Sequence, residues 1–231
     1  MIKKPLFLLT LVLAFASMTA AQDDYKKWEF YGGYSALWFD NLKNNTGLPE
    51  VDAALDGKAT MRGFNLALTR NVHRYVGVKF DYSLHLREDE FTRPLGSGTV
   101  DSTVQNYQGG IQFKDNSEDG PRFKPFGHAL AGVAVQKVDI DSAQLSPIFG
   151  IDDFHANETS FAMTFGGGVD IRLTNRIDVR VIQMDLNIIN RGDQQVGNFT
   201  RINPLGNVGD PFIVQGGTQT NFRIGAGIVI H

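Results

Sequence analysis

The sequence contains no cysteine. That excludes a disulfide scaffold, a thiolate metal site and a lipid anchor carried on cysteine. Charge of one sign is also lacking, with 22 basic residues against 25 acidic ones. No basic footprint for nucleic acid is present, so nucleic acid is not an expected partner. Beyond residue 21 there is no run of about 18 apolar residues, which removes a membrane-crossing helix from the mature chain. Acidic residues gather at Glu50, Asp52 and Asp56, and again at Asp139, Asp141, Asp152 and Asp153. Neither group has the spacing of a calcium-binding loop. Both read as solvated loop charge, and no metal or other cofactor is expected.

What is present begins at the N-terminus. Lys3 and Lys4 precede an apolar stretch from Leu6 to Ala16, and the small residues Thr19, Ala20 and Ala21 follow. This is the layout of a secretory signal peptide, residues 1–21, cut after Ala21. The remainder, 22–231, reads as one domain. Losing Lys3 and Lys4 leaves 20 basic against 25 acidic residues, a net charge of −5. An exported chain without a long apolar run is either soluble or inserted in a membrane as strands, and pattern has to decide.

The clearest pattern runs from Tyr75 to Arg87. Val76, Val78, Phe80, Tyr82, Leu84 and Leu86 fall on one face, and Gly77, Lys79, Asp81, Ser83, His85 and Arg87 on the other. A period of two is a strand with one apolar and one polar face. Its length suits the roughly 9–11 residues that a tilted membrane strand needs. The same alternation recurs from Phe161 to Arg172 and from Asn221 to Ile230, and more weakly over 28–39, 60–71, 102–114 and 123–138. Over 176–190 the phase slips: Ile177, Val179 and Val181 share a face, then Met184, Leu186 and Ile188 take over. A β-bulge near Ile182 would produce that slip.

These segments give about eight strands, the smallest usual membrane barrel. Long polar connections (40–59, 88–101, 139–157, 191–217) alternate with short ones around 71–74, 115–121 and 174–176. Such alternation is the arrangement of short periplasmic turns and long external loops. The expected fold is all-β, an antiparallel up-and-down transmembrane β-barrel in the bacterial outer membrane. Its polar face would supply Glu29, Lys79, Asp81, Arg87, Asp170, Arg172, Asp178, Arg180 and Arg223 as a lumenal charge network of both signs. Trp28, Tyr31, Tyr34, Trp38, Tyr75 and Tyr107 suit aromatic girdles at the two membrane surfaces. A soluble lipocalin-like binder would invert the faces, and the Lys79, Asp81 and Arg87 face argues against it.

The residues also resemble a known group. Phe30-Tyr31-Gly32-Gly33-Tyr34-Ser35 resembles the opening strand of the outer-membrane β-barrel superfamily of OmpA-like and OmpX-like proteins. Arg74 to Val78 is similar to its third strand, 124–132 to its fifth, Asp178 to Asp185 to its seventh and Asn221 to Val229 to its last. The resemblance implies outer-membrane lipid and lipopolysaccharide as surroundings, assembly by the barrel-assembly machinery, and external loops available to a surface ligand. It departs from the pattern in ending on Ile230 and His231 rather than an aromatic residue. The peptidoglycan-binding domain of full-length OmpA-like proteins is missing as well.

Catalysis has one candidate. Ser83 and His85 share the polar face near the external rim, with Glu88 and Asp89 close by, but a nucleophile needs its base within reach and an orienting partner. A hydrogen-bonded lumenal histidine is the plainer reading, and no enzyme is expected. His128 shares a face with Phe126 and Leu130. Gly166-Gly167-Gly168 lacks the Lys-Ser/Thr ending of a phosphate loop and reads as close strand approach or as room for lumenal side chains. The expected role is envelope integrity or surface contact, with little or no porin conductance. A barrel enzyme acting on outer-membrane lipid is the alternative.

Overall fold

The computed structural model describes residues 25–40, 58–93, 96–141, 153–192, 194–202, 208–214 and 217–231. The expected signal peptide, and Glu50, Asp52, Asp56 and Asp152 of the acidic groups, lie outside them.

Alternation becomes strand in eight places, because each such segment must turn its apolar face to lipid and its polar face to the lumen while its backbone pairs with both neighbours. The strands are β1 (Trp28–Asp40), β2 (Lys58–His73), β3 (Val76–Arg93), β4 (Gly96–Lys114), β5 (Phe123–Asp141), β6 (Asp153–Arg172), β7 (Ile177–Arg191) and β10 (Gly217–Ile230). Among the described residues these eight pair antiparallel in the closed order β1-β10-β7-β6-β5-β4-β3-β2. β8 (Gln194–Ile202) and β9 (Val208–Val214) form a separate hairpin within the longest connection, where the sequence suggested only loop.

Closure fixes the stagger. Register partners lead from Trp38 to Phe222, Leu186, Phe165, Ala129, Ile111, Val78, Arg70 and back to β1 at Trp28, ten residues lower. With ordinary strand spacing, that shear tilts the strands by roughly 40° and gives a backbone radius of roughly 8 Å. Such a lumen has room for side chains and little else. The same ten residues separate Trp28 and Trp38, which at this tilt is about 25 Å, the height of an outer-membrane apolar band.

The outward face is apolar. Phe30, Phe80, Phe113, Phe161, Phe165, Leu186 and Ile228 are all exposed. Trp28 and Tyr75 mark the short-turn end and Trp38 the other. Tyr31 corrects the girdle assignment: it is buried inside the lumen, because the inward parity of β1 runs through Glu29, Tyr31 and Ser35. β5 holds a second reversal. Its Phe126 and Leu130 are buried in the lumen while small Ala129 and Ala131 face lipid, so His128 is lumenal as well.

The slip in β7 is a bulge. Arg180 pairs with Asp170 and Ile182 with Val169, leaving one extra residue between them, and Val181 and Ile182 both point outward. The bulge returns Asp178 and Arg180 below it, and Gln183 and Asp185 above it, to the same inward face. The glycine run opposite makes room. A Cβ on Gly168 would strike the carbonyl of Ile182 at the bulge, and one on Gly166 would strike the Asp185 carboxylate.

The connection expected between Glu88 and Asp101 is mostly strand: β3 and β4 pair to Arg93 and Gly96. β3 to β6 run 18 to 20 residues, well past what crosses a bilayer, and continue outward as paired hairpins. Their polar side chains look like loop in the sequence, but backbone pairing needs no apolar face once the strand leaves lipid.

Candidate functional site

The chemistry of this molecule lies in its lumen, which is filled in layers. At the short-turn mouth Lys124 Nζ donates to Asp178 Oδ2 at 3.0 Å, and His231 Nε2 stands 2.9 Å from the same oxygen. Above them Lys114 Nζ bridges Glu29 Oε2 (2.6 Å) and Asp170 Oδ2 (3.0 Å). Asp170 also accepts both ends of the Arg180 fork, from Nε at 2.8 Å and Nη2 at 3.1 Å. The Arg180 guanidinium lies 4.3 Å from the ring centre of Tyr31 and 3.9 Å from that of Phe126. Here a buried cation meets two aromatic faces, where that attraction is strongest.

The next layer centres on Arg223. It donates to Asp185 Oδ2 (2.8 Å from Nε) and to Asp81 Oδ1 (3.2 Å from Nη1), spanning the lumen from β10 to β3. Asn65 donates to Asp81 at 2.9 Å and Gln183 to Asp185 at 2.7 Å. Lys79 Nζ lies 3.6 Å from Asp81 and 3.3 Å from His128 Nδ1. The ammonium can only donate, so His128 accepts at Nδ1 and carries its proton on Nε2, 3.0 Å from Asp185 Oδ1.

Higher still the layers lose charge. Ser83, Asn106, Asn187, Thr164 and Gln108 form one chain of side-chain hydrogen bonds. Two apolar clusters follow, Leu37 with Met61 and Val104, and Ala134 with Ala162 and Ile189. Near the external end Gln136 donates to Gln219 at 3.0 Å, and Arg191 pairs with Glu158 at 2.5 Å.

Among the described residues, the buried anions are Glu29, Asp81, Glu158, Asp170, Asp178 and Asp185. The buried cations are Lys79, Lys114, Lys124, Arg180 and Arg223, and Arg191 answers Glu158. The two signs balance, as they must where each uncompensated ion costs several kcal/mol.

Seven of the nine charged residues expected in the lumen lie buried there. Arg87 sits instead at the external rim against Asp89, and Arg172 is half-buried at the opposite mouth, donating to the Ser117 carbonyl at 3.2 Å. Both stand where the lumen opens, so parity alone could not separate them from the interior. Lys114, Lys124, His128 and Asp185 were not in that expectation. The two lysines end their strands beside the 115–122 turn and look like turn charges. Asp185 follows the phase slip, and His128 hides among large apolar neighbours.

Ser83 and His85 do not meet. His85 Nε2 pairs with Ser35 Oγ at 2.9 Å, Ser83 accepts from Asn106, and His85 Nδ1 has no partner. Both lie fully buried, and among the described residues no acid stands behind the imidazole.

Residues 7–227 match the outer membrane protein beta-barrel domain family. The chain belongs to that family. This outer-membrane barrel has a similar fold to OprG from Pseudomonas aeruginosa, with a TM-score of 0.51 at 14% identity, over 90% of this chain and 96% of that one. Ail of Yersinia pestis, solved with the heparin analogue sucrose octasulfate, gives 0.47 at 15% identity, over 88% and 98%. The outer-membrane protease OmpT of Escherichia coli gives 0.46 at 8% identity, over 92% and 99%. At 14% identity the likeness to OprG bears on fold alone. No curated protein sequence is significantly similar. The barrel is a bacterial outer-membrane protein, so the short-turn end is periplasmic and the long connections are external.

At the periplasmic mouth Lys26 Nζ is buried and has no hydrogen-bond partner among the described residues. Burial, and then the neighbouring charge of Lys124, push its pKa down to about 8 from 10.5. Between those two values the unfolded chain holds a proton that the folded chain has released, so stability rises with pH across that window. Urea unfolding of the refolded barrel is expected to show a steeper rise in the wild type than in Lys26→Met. Equal slopes in the two proteins would show that Lys26 titrates normally.

Proposed function

We propose that this outer-membrane barrel is a closed, non-enzymatic envelope protein that supports the membrane and makes its contacts through the external strands and loops. The observation that carries this reading is the filled lumen. Cross-lumen contacts such as Arg223 with Asp81 and Lys114 with Glu29 stand below two apolar clusters, so side chains cross the lumen at several heights. The charge network then serves the structure, because it holds opposite walls of the barrel together. The hairpins of β3 to β6 and of β8 and β9 carry backbone well beyond the membrane, which suits display to a surface ligand.

The same reading takes residues 1–21 as the export signal and 22–231 as the barrel domain. Outer-membrane lipid and lipopolysaccharide surround it, and the barrel-assembly machinery inserts it. The separation of Ser83 from His85, with Ser35 as the histidine's partner, favours a non-enzyme over a lipid-modifying barrel.

The test is conductance. The refolded protein in planar bilayers is expected to give no steady open-channel current. A mutant strain lacking it should become more sensitive to detergent, with rescue by the intact gene. A stable, voltage-independent current would overturn the closed reading, and unchanged detergent sensitivity would remove the envelope role.

A further inference from the structure

At the periplasmic mouth, three pieces of chain enclose a pocket of about 510 Å³. Lys26, Lys27 and Trp28 lead into β1, Glu118 and Asp119 come from the β4–β5 turn, and Arg172, Asn175 and Arg176 come from the β6–β7 turn. The pieces are tied together. Lys26 N donates to the Asn116 carbonyl at 3.0 Å, Arg172 reaches the Ser117 carbonyl, and His231 N donates to the Arg176 carbonyl at 2.9 Å.

The pocket contains charges of both signs, Lys26, Lys27, Arg172 and Arg176 against Glu118 and Asp119. Glu118, Asp119 and Arg176 all line it and all are exposed, yet none of their side chains has a hydrogen-bond or ion-pair partner among the described residues. Cations come from the segment before β1 and from the β6–β7 turn, and the carboxylates from the β4–β5 turn, with the pocket between them. Trp28 places this gap relative to the bilayer. Its ring faces outward, 42% exposed, with the Arg70 guanidinium 4.6 Å over it. Such an aromatic–arginine pair belongs at the headgroup level. A ligand entering here would leave its tails beside Trp28 and carry its polar end between the two walls. A purely anionic group would satisfy Arg172 and Arg176 but meet Glu118 and Asp119. An ammonium–phosphate zwitterion satisfies both.

We infer that this pocket binds the headgroup of a zwitterionic phospholipid of the inner leaflet, with Arg172 and Arg176 on the phosphate and Glu118 and Asp119 on a primary ammonium. The inference rests on the barrel's place in the outer membrane and not on its contact role, so failure of one leaves the other standing.

The test uses the refolded barrel with Trp38→Phe, so that Trp28 is the only tryptophan, in nonionic detergent. Trp28 fluorescence is titrated with short-chain phosphatidylethanolamine, short-chain phosphatidylglycerol and soluble O-phosphoethanolamine. Phosphatidylethanolamine is expected to bind roughly three- to fivefold tighter than phosphatidylglycerol, as fits exposed ion pairs. Glu118→Gln with Asp119→Asn should erase that preference, and Arg176→Gln should weaken both lipids. All variants should keep the gel shift between unboiled and boiled samples, which separates lost binding from lost folding. Equal affinity for the two lipids, unchanged by the variants, would show ordinary annular lipid and overturn the site. Soluble O-phosphoethanolamine binding as tightly as the lipid would overturn the membrane as its source.

Discussion

Arg223→Met is expected to cost the barrel about 3–5 kcal/mol, the usual penalty for removing one partner of a buried ion pair. Asp81 and Asp185, both completely buried, would then face each other across the lumen with only Lys79 and His128 nearby. Methionine fills the volume and so isolates the charge effect. Urea unfolding in lipid vesicles would read the loss. Adding Asp185→Asn should restore more than half of it, because the uncompensated anion, and not the missing contacts, carries most of the cost, and Asp81 keeps Lys79 as its partner. A loss below about 1 kcal/mol would mean that water reaches these carboxylates, and the closed lumen would have to be abandoned.

Gly166→Val is expected to do comparable damage by another route, at least about 3 kcal/mol from forced overpacking together with a disturbed ion pair. A side chain there collides with the Asp185 carboxylate and with the Met184 carbonyl, so β6 must move off β7 or Asp185 must leave Arg223 and His128. The readout is the fraction of protein that migrates in the folded position on unboiled gels after refolding. Gly192→Ala serves as the control, since nothing stands within 4 Å of a Cβ at that site. If the valine variant folded as well as the control, the glycine run would have no packing reason in this barrel.

Both predictions concern residues that local pattern reads incompletely. Period-two alternation over Tyr75 to Arg87 is a local property, because a strand between lipid and lumen must alternate regardless of its neighbours. It therefore announced β3 and its two faces as far as Arg87, though not its continuation to Arg93. The alternation of long and short connections likewise announced the order of an up-and-down barrel. Even the bulge at Val181 and Ile182 was legible, since one extra residue must shift every later side chain to the other face.

Partnership was not legible. That Arg223 meets Asp81 depends on a ten-residue stagger accumulated over the whole circuit, and no segment of sequence contains that sum. Tyr31 looked like a girdle residue and His128 like part of an apolar face, because residue type was taken for direction. In a lumen this narrow, Tyr31 and Phe126 are needed inside to sandwich Arg180. The sequence by itself determined the strands, their faces and their destination, through rules that act over a few residues. Which charges answer one another, where the lumen turns apolar and which glycines are obligatory were decided only when the sheet closed, because closure sets the distances between residues far apart in the chain.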